Sequence, residues 1–210
     1  MKKLFVPIVA LAAVLAFTSC GKEDQDPPVI TLPDGALVID LGDEIAALKD
    51  VTAEDKKDGD VSSTLKVLEG LDFVGQSILK YSAKDKAGNE GFVTKSVTIR
   101  ANNLFGNYSA RQVPGEDSDF DTYIVNIGAS QDPTKLVLTG FYGQSGWFVV
   151  FSGNGTSELT METKTFNNGD ITVTGKATYR KVATYDMYDF NFTVTDEDGS
   201  ANYAVTFTRQ

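Results

Sequence analysis

Histidine is absent from the 210 residues, and cysteine and tryptophan each occur once, at Cys20 and Trp147. Without histidine, and with no second thiol, the chain has no Ser-His-Asp or Cys-His catalysis and no His- or Cys-ligated zinc site. A lone cysteine also rules out an internal disulfide. Positive charge is scarce. Lys and Arg total 19 against 29 Asp and Glu, for a formal net charge of −10, and no basic cluster stands beyond the first three residues. Phosphate recognition needs Lys and Arg to displace counterions, so neither nucleic acid nor anionic lipid heads are expected as partners. From Val29 onward no apolar stripe at helical spacing is long enough to make a substantial helix. The chemistry left open is carboxylate catalysis of the glycosidase type, or calcium held by oxygen ligands.

The one long apolar run is Leu4 to Phe17, preceded by Lys2 and Lys3 and followed by the small residues Thr18 and Ser19. Fourteen residues fall short of the roughly 20 that a membrane-spanning helix needs, whereas the layout is that of a secretory signal peptide over residues 1–19. Phe17-Thr-Ser-Cys20 resembles the lipobox of bacterial lipoproteins, differing by Phe at its first position. The resemblance implies that Cys20 is acylated and becomes the mature N-terminus, so that the membrane partner is reached through a lipid anchor. Gly21-Lys-Glu-Asp-Gln-Asp-Pro-Pro28 follows, and looks like the acidic surface-export tag of Bacteroidota lipoproteins. It also reads simply as a solvated tether. Either way residues 20–28 are expected to be flexible, because charge and proline without apolar periodicity bury too little surface to order a backbone.

The remainder reads as short strands broken by turn residues, an all-β chain in two domains. In the first, residues 29–101, Leu79, Tyr81 and Ala83 alternate with polar neighbours, as do Val93, Val97 and Ile99. Each set therefore marks one inward face, with Lys95 interrupting the second row near an edge. The order Asp50-Val-Thr-Ala-Glu-Asp-Lys-Lys-Asp-Gly-Asp60, Tyr81-Ser-Ala-Lys-Asp-Lys-Ala-Gly-Asn89, Ser96-Val-Thr-Ile99 resembles the bacterial immunoglobulin-like domain first described in insecticidal crystal toxins. That resemblance implies a small β-sandwich. Asp85 to Asn89 is a hairpin turn by its own chemistry, since Asp bonds backbone amides while Gly and Asn accept left-handed φ. Asp55, Asp58, Asp60 and Asp85 either serve such turns or gather around calcium. An EF-hand is excluded, because the twelfth position of a loop starting at Asp55 is Lys66.

Beyond the polar junction Ala101-Asn-Asn103, aromatic residues become frequent and eight strands are predicted over residues 104–210, at 105–113, 120–128, 135–142, 146–152, 158–164, 170–180, 187–195 and 201–208. Leu136 and Leu138, then Phe190, Phe192 and Val194, then Tyr203, Val205 and Phe207 define their inner faces. Antiparallel strands with one apolar face close into a barrel or stack as two sheets, and a meander barrel is the expected form. Leu104-Phe-Gly-Asn-Tyr108 is similar to the opening of lipocalin-like lipoprotein domains.

Function is expected at Gly140-Phe-Tyr-Gly-Gln-Ser-Gly-Trp-Phe148, where Tyr142 and Trp147 flank a glycine-rich turn. Flat rings at a loop tip can stack on sugar faces while neighbouring amides and hydroxyls bond the sugar hydroxyls. Tyr185 and Tyr188 would join them if the loops converge; otherwise Tyr142 and Trp147 are core residues at strand ends. Asp119, Asp121, Asp186 and Asp189 lack any feature that would raise a carboxyl pKa, so catalysis is not expected. The sequence thus points to a non-catalytic, outer-membrane lipoprotein facing the cell exterior. It would bind polysaccharide beside transport or lipoprotein partners of an uptake system, with no cofactor unless calcium. The alternative is a structural or adhesive accessory protein that binds other proteins.

Overall fold

The computed structural model describes residues 23–113, 121–180 and 187–210. Its N-terminal part contains β1 (Val29–Thr31), β2 (Leu37–Asp40), α1 (Glu44–Leu48), β3 (Thr52–Asp55), β4 (Gly59–Asp60), β5 (Lys66–Glu69), β6 (Gly75–Lys84) and β7 (Glu90–Arg100). These strands form two sheets, β1-β3-β4 and β2-β7-β6-β5. The turn at Pro33-Asp-Gly35 therefore carries the chain from one sheet to the other, where β2 lies parallel to β7. The alternation in β6 and β7 does what period-2 patterning requires: Leu79, Tyr81, Ala83, Val97 and Ile99 are all buried. Lys95 sits just beyond Val97, where β2 stops pairing with β7, and its ammonium reaches the carbonyl of Pro33. Among the described residues the single α-helix is one turn long, begun by Asp43, whose carboxylate accepts the Ala46 amide at 2.9 Å.

The C-terminal part is a barrel. Its strands are β8 (Gly106–Val113), β9 (Asp121–Ala129), β10 (Lys135–Thr139), β11 (Phe148–Gly153), β12 (Glu158–Met161), β13 (Lys164–Phe166), β14 (Ile171–Arg180), β15 (Met187–Asp196) and β16 (Gly199–Arg209). Sequential neighbours pair antiparallel, β8 pairs with β16, and β12 pairs with β14, which closes eight strands into a ring with β13 as a flap on β14. Closure leaves every strand of the ring with two neighbours and so removes the exposed edges of an open sheet.

Two boundaries differ from the predicted ones for local reasons. The strand predicted over 135–142 ends at Thr139, because Gly140 and Tyr142 adopt left-handed φ of 79° and 56°. The strand predicted over 158–164 breaks in two, and β13 turns back onto β14 through Asn167 and Asn168, with φ of 51° and 61°, so that Phe166 is driven inward.

The polar junction turns tightly, leaving Asn102 and Asn103 exposed between two buried residues. Ala101 and Leu104 are fully enclosed, and the Leu104 carbonyl accepts the hydroxyls of both Tyr108, at 2.8 Å, and Tyr188, at 3.1 Å. The sandwich and the barrel share one apolar core across this seam. Tyr179 accepts the buried Val74 amide at 2.8 Å, and the Val74 carbonyl accepts the Gly155 amide at 2.8 Å. Among the described residues no helix is long and apolar enough to cross a membrane.

Candidate functional site

The turn between β10 and β11 is built on aromatic packing. Phe141 is buried and sets its ring 5.0 Å from Phe192 and 6.1 Å from both Phe166 and Phe190. Anchored by that neighbour, Tyr142 holds a left-handed backbone that costs a bulky side chain about 1–2 kcal/mol. Contacts on the far side of its ring offset this strain. Its hydroxyl hydrogen-bonds the Tyr203 hydroxyl at 3.3 Å, and its ring meets Tyr203 and Phe192 edge-on at 5.5 and 6.2 Å. Trp147 lies flat on Phe166 with centroids 4.0 Å apart, half-buried, so at most one indole face is open.

Tyr203 connects this turn to a groove of about 670 Å³ on β12, β14, β15 and β16. Register explains its shape. Tyr203, Phe192 and Gly175 stand opposite one another on three adjacent strands with their side chains on the inward face, while the rows on either side, Lys176-Asn191-Ala204 and Thr174-Thr193-Asn202, face outward. At Gly175 a Cβ would come within 2.6 Å of the Asn191 carbonyl oxygen and 2.8 Å of Phe192, so only glycine lets the strands approach this closely. Exposed Thr160, Thr174, Lys176, Asn191 and Asn202 form the rim, with Thr193 donating to Asn202 at 2.8 Å and Lys176 paired to Glu158 at 2.9 Å. The result is an outward concavity lined by hydroxyl, amide and ammonium groups, backed on the inner face by the packed rings of Phe192 and Tyr203.

Of the predicted ligand-binding residues, Tyr142 and Trp147 fall at the turn, and Tyr142 packs on Tyr203 and Phe192 on the inner face behind the groove. Tyr188 does not join them. It is 1% exposed on β15, edge-on to Tyr108 at 5.2 Å, and burial first, then Tyr108, push its phenol well above the ordinary pKa. Its period-2 position pointed inward, which overrode any loop reading. Cys20, Asp119, Tyr185 and Asp186 lie outside the described residues. Asp189 is half-buried and accepts Thr206 at 3.3 Å. Sequence reasoning missed Asn191 and Asn202, although asparagine is depleted from strand interiors and two of them on adjacent strands were a readable signal.

The four carboxylates weighed for calcium divide. Asp55, Asp58 and Asp85 come together, joined by Asp24, while Asp60 faces solvent and caps the Ser62 amide at 2.8 Å. The Ser62 hydrogen bonds hold the Asp60 carboxyl below its usual pKa. At Asp85 desolvation pushes the carboxyl up, but hydrogen bonds from Asn89, Gly88 and Ala87 outweigh it and leave the pKa lowered.

No family model and no curated protein matches the chain. Among solved structures it is similar to a lipoprotein of Bacteroides thetaiotaomicron, at 16% identity and TM-score 0.37 over 87% of this chain and 100% of that one. It is also similar to the CBM51-2 and INT domains of Clostridium perfringens ZmpB. The structure in complex with GlcNAc matches at 14% identity and TM-score 0.26, over 86% of this chain and 44% of that one. The structure described without GlcNAc matches at 13% and 0.24, over 85% and 44%.

Proposed function

We propose that this chain is a non-catalytic lipoprotein, held by an acylated Cys20 at the outer membrane with its barrel facing the exterior, and that the barrel captures glycan in the Tyr203 groove. The observation that carries the reading is the groove itself, a concavity of about 670 Å³ lined by exposed Asn, Thr and Lys side chains. Such a lining suits a sugar, whose hydroxyls find convergent donors and acceptors in a concave surface. The strained Tyr142 supports the same assignment, since backbone strain gathers where a side chain must be held for use. Glycoside hydrolysis needs two carboxylates across a cleft, and none of the described residues lining this groove is acidic. The immunoglobulin-like sandwich then acts as a spacer between anchor and barrel.

Full-length protein in detergent, titrated with plant, host and microbial polysaccharides, should bind at least one of them saturably. Replacing Asn191 and Asn202 together with Ala removes two rim amides from exposed positions and is expected to weaken binding roughly tenfold. Trp147→Ala tests whether the turn contributes a second platform. No binding to any polysaccharide by the folded protein would overturn glycan capture in favour of a protein-binding accessory role. The anchor is checked separately: fatty-acid labelling in a bacterial host should mark the wild type and be lost in Cys20→Ala.

A further inference from the structure

Asp24, Asp55, Asp58 and Asp85 each place one carboxylate oxygen within 4.8 Å of the other three, although they come from three separate stretches of the chain. Asp24 precedes β1, Asp55 ends β3, Asp58 stands in the β3–β4 turn and Asp85 follows β6. Turn chemistry accounts for only part of this. Asp55 Oδ1 accepts the amides of Lys57 and Asp58, both at 2.8 Å, whereas Oδ2 is buried with no hydrogen-bond partner in a residue only 2% exposed. Asp24 Oδ2 is likewise buried without a hydrogen-bond partner, in a side chain 9% exposed, and the nearest cation is the Lys57 ammonium at 4.0 Å. Asp58 Oδ2 accepts the Lys86 amide and Asp85 Oδ1 the amides of Gly88 and Asn89, so the backbone fixes both carboxylates in place.

Two carboxylate oxygens out of water and unbonded, beside two more acids, are costly unless a cation sits among them. We propose that these four aspartates bind a Ca2+ ion. Calcium takes oxygen ligands at about 2.3–2.6 Å, so oxygens on opposite sides of the ion stand roughly 4.6–5.2 Å apart, and the cluster fits within that sphere. Magnesium, which demands shorter bonds and keeps several waters, is seldom held by four protein carboxylates. The ion would also pin the segment ahead of β1. Asn89 Nδ2 already donates to the Asp24 carbonyl at 3.0 Å, and the buried Pro28 packs on Gly91, where a Cβ would come within 2.0 Å of the Pro28 carbonyl oxygen. Residues 24–28, expected from composition to be a flexible tether, thus lie against the sandwich, and calcium supplies the cohesion their sequence lacks.

Full-length protein stripped with EGTA and titrated with CaCl2 by calorimetry should take up one ion per chain and unfold at a higher temperature once loaded. An equal concentration of MgCl2 should compete poorly. Asp55→Asn should lose binding. Asp24→Ala decides the matter if that variant does not fold, because the Asp24 side chain caps no turn; it should weaken calcium roughly tenfold or more by removing one charged ligand. Limited proteolysis should cut residues 24–28 faster in EGTA than in calcium. Asp60→Asn, outside the cluster, should bind as the wild type does. Folded wild type giving neither binding heat nor a thermal shift, or Asp24→Ala binding calcium with unchanged affinity, would overturn the proposal.

Discussion

Phe141→Ala is expected to destabilise the barrel by about 3–5 kcal/mol, the range for removing a large buried aromatic side chain. Phe141 is 1% exposed and its ring contacts Phe166, Phe190 and Phe192, which come from β13 and β15. Phe190 and Phe192 also stack on each other at 4.9 Å and Phe166 on Trp147 at 4.0 Å, so the space cannot easily collapse and the cavity term remains. Phe148, only seven positions away, is the contrast: it is 42% exposed, with the Lys164 ammonium 3.9 Å over its ring. Phe148→Ala should cost no more than about 1 kcal/mol, the worth of an exposed cation–π contact. Urea unfolding followed by Trp147 fluorescence measures both. Equal losses for the two variants would mean that the core at the turn does not depend on Phe141. Because Phe141 also holds the Tyr142 backbone in place, its loss should weaken any ligand bound in the groove beyond what global stability explains.

Gly75→Ala is the second large effect, roughly 2–5 kcal/mol. Part of it is conformational, since φ is 118° at Gly75 and a residue with a Cβ is strained there by about 1–2 kcal/mol. The rest is steric. The new carbon would stand 2.7 Å from the Gly153 carbonyl oxygen and 2.7 Å from the Gly155 nitrogen, both backbone atoms that cannot swing aside, and such overpacking costs typically 1–3 kcal/mol. Gly59 separates the two contributions, because φ is 74° there and a Cβ would meet nothing within 4 Å. Gly59→Ala should therefore show the strain alone. Since Gly75 lies where sandwich backbone touches barrel backbone, calorimetric unfolding of Gly75→Ala should also lose cooperativity, splitting into two transitions where the wild type gives one. A single transition at an unchanged temperature would show that the seam tolerates the extra carbon.

Sequence patterning carried most of the strand assignments because period-2 alternation was unbroken where it mattered. Leu79-Tyr81-Ala83, Leu136-Leu138 and Phe190-Phe192 all face inward as their spacing required. Boundaries were lost where conformation depends on tertiary support: nothing local to Phe141 and Tyr142 announces that a tyrosine will adopt left-handed φ, which the Tyr203 and Phe192 contacts sustain. The short α1 turn was likewise too brief for periodicity to register. For the candidate sites the limit was distance along the chain. Asp24 joins Asp85 across 61 positions, and Tyr142 meets Tyr203 across a similar span. Spacing between neighbours in sequence had instead grouped Asp60 with Asp55 and Asp58, whose side chain the Ser62 turn draws away.

Pairing between β8 and β16 has a consequence for the order in which the molecule can form. Arg209 reaches the Tyr108 hydroxyl across 101 residues, whereas every strand of the two N-terminal sheets lies before residue 101. The sandwich sheets therefore have all their strands long before the ring can close. Bringing such remote strands together incurs a large loop-closure entropy, which slows folding. Until β16 arrives, β8 keeps an open edge that can recruit a strand from another copy, and closure is the step at which a nascent chain is most exposed to misassembly.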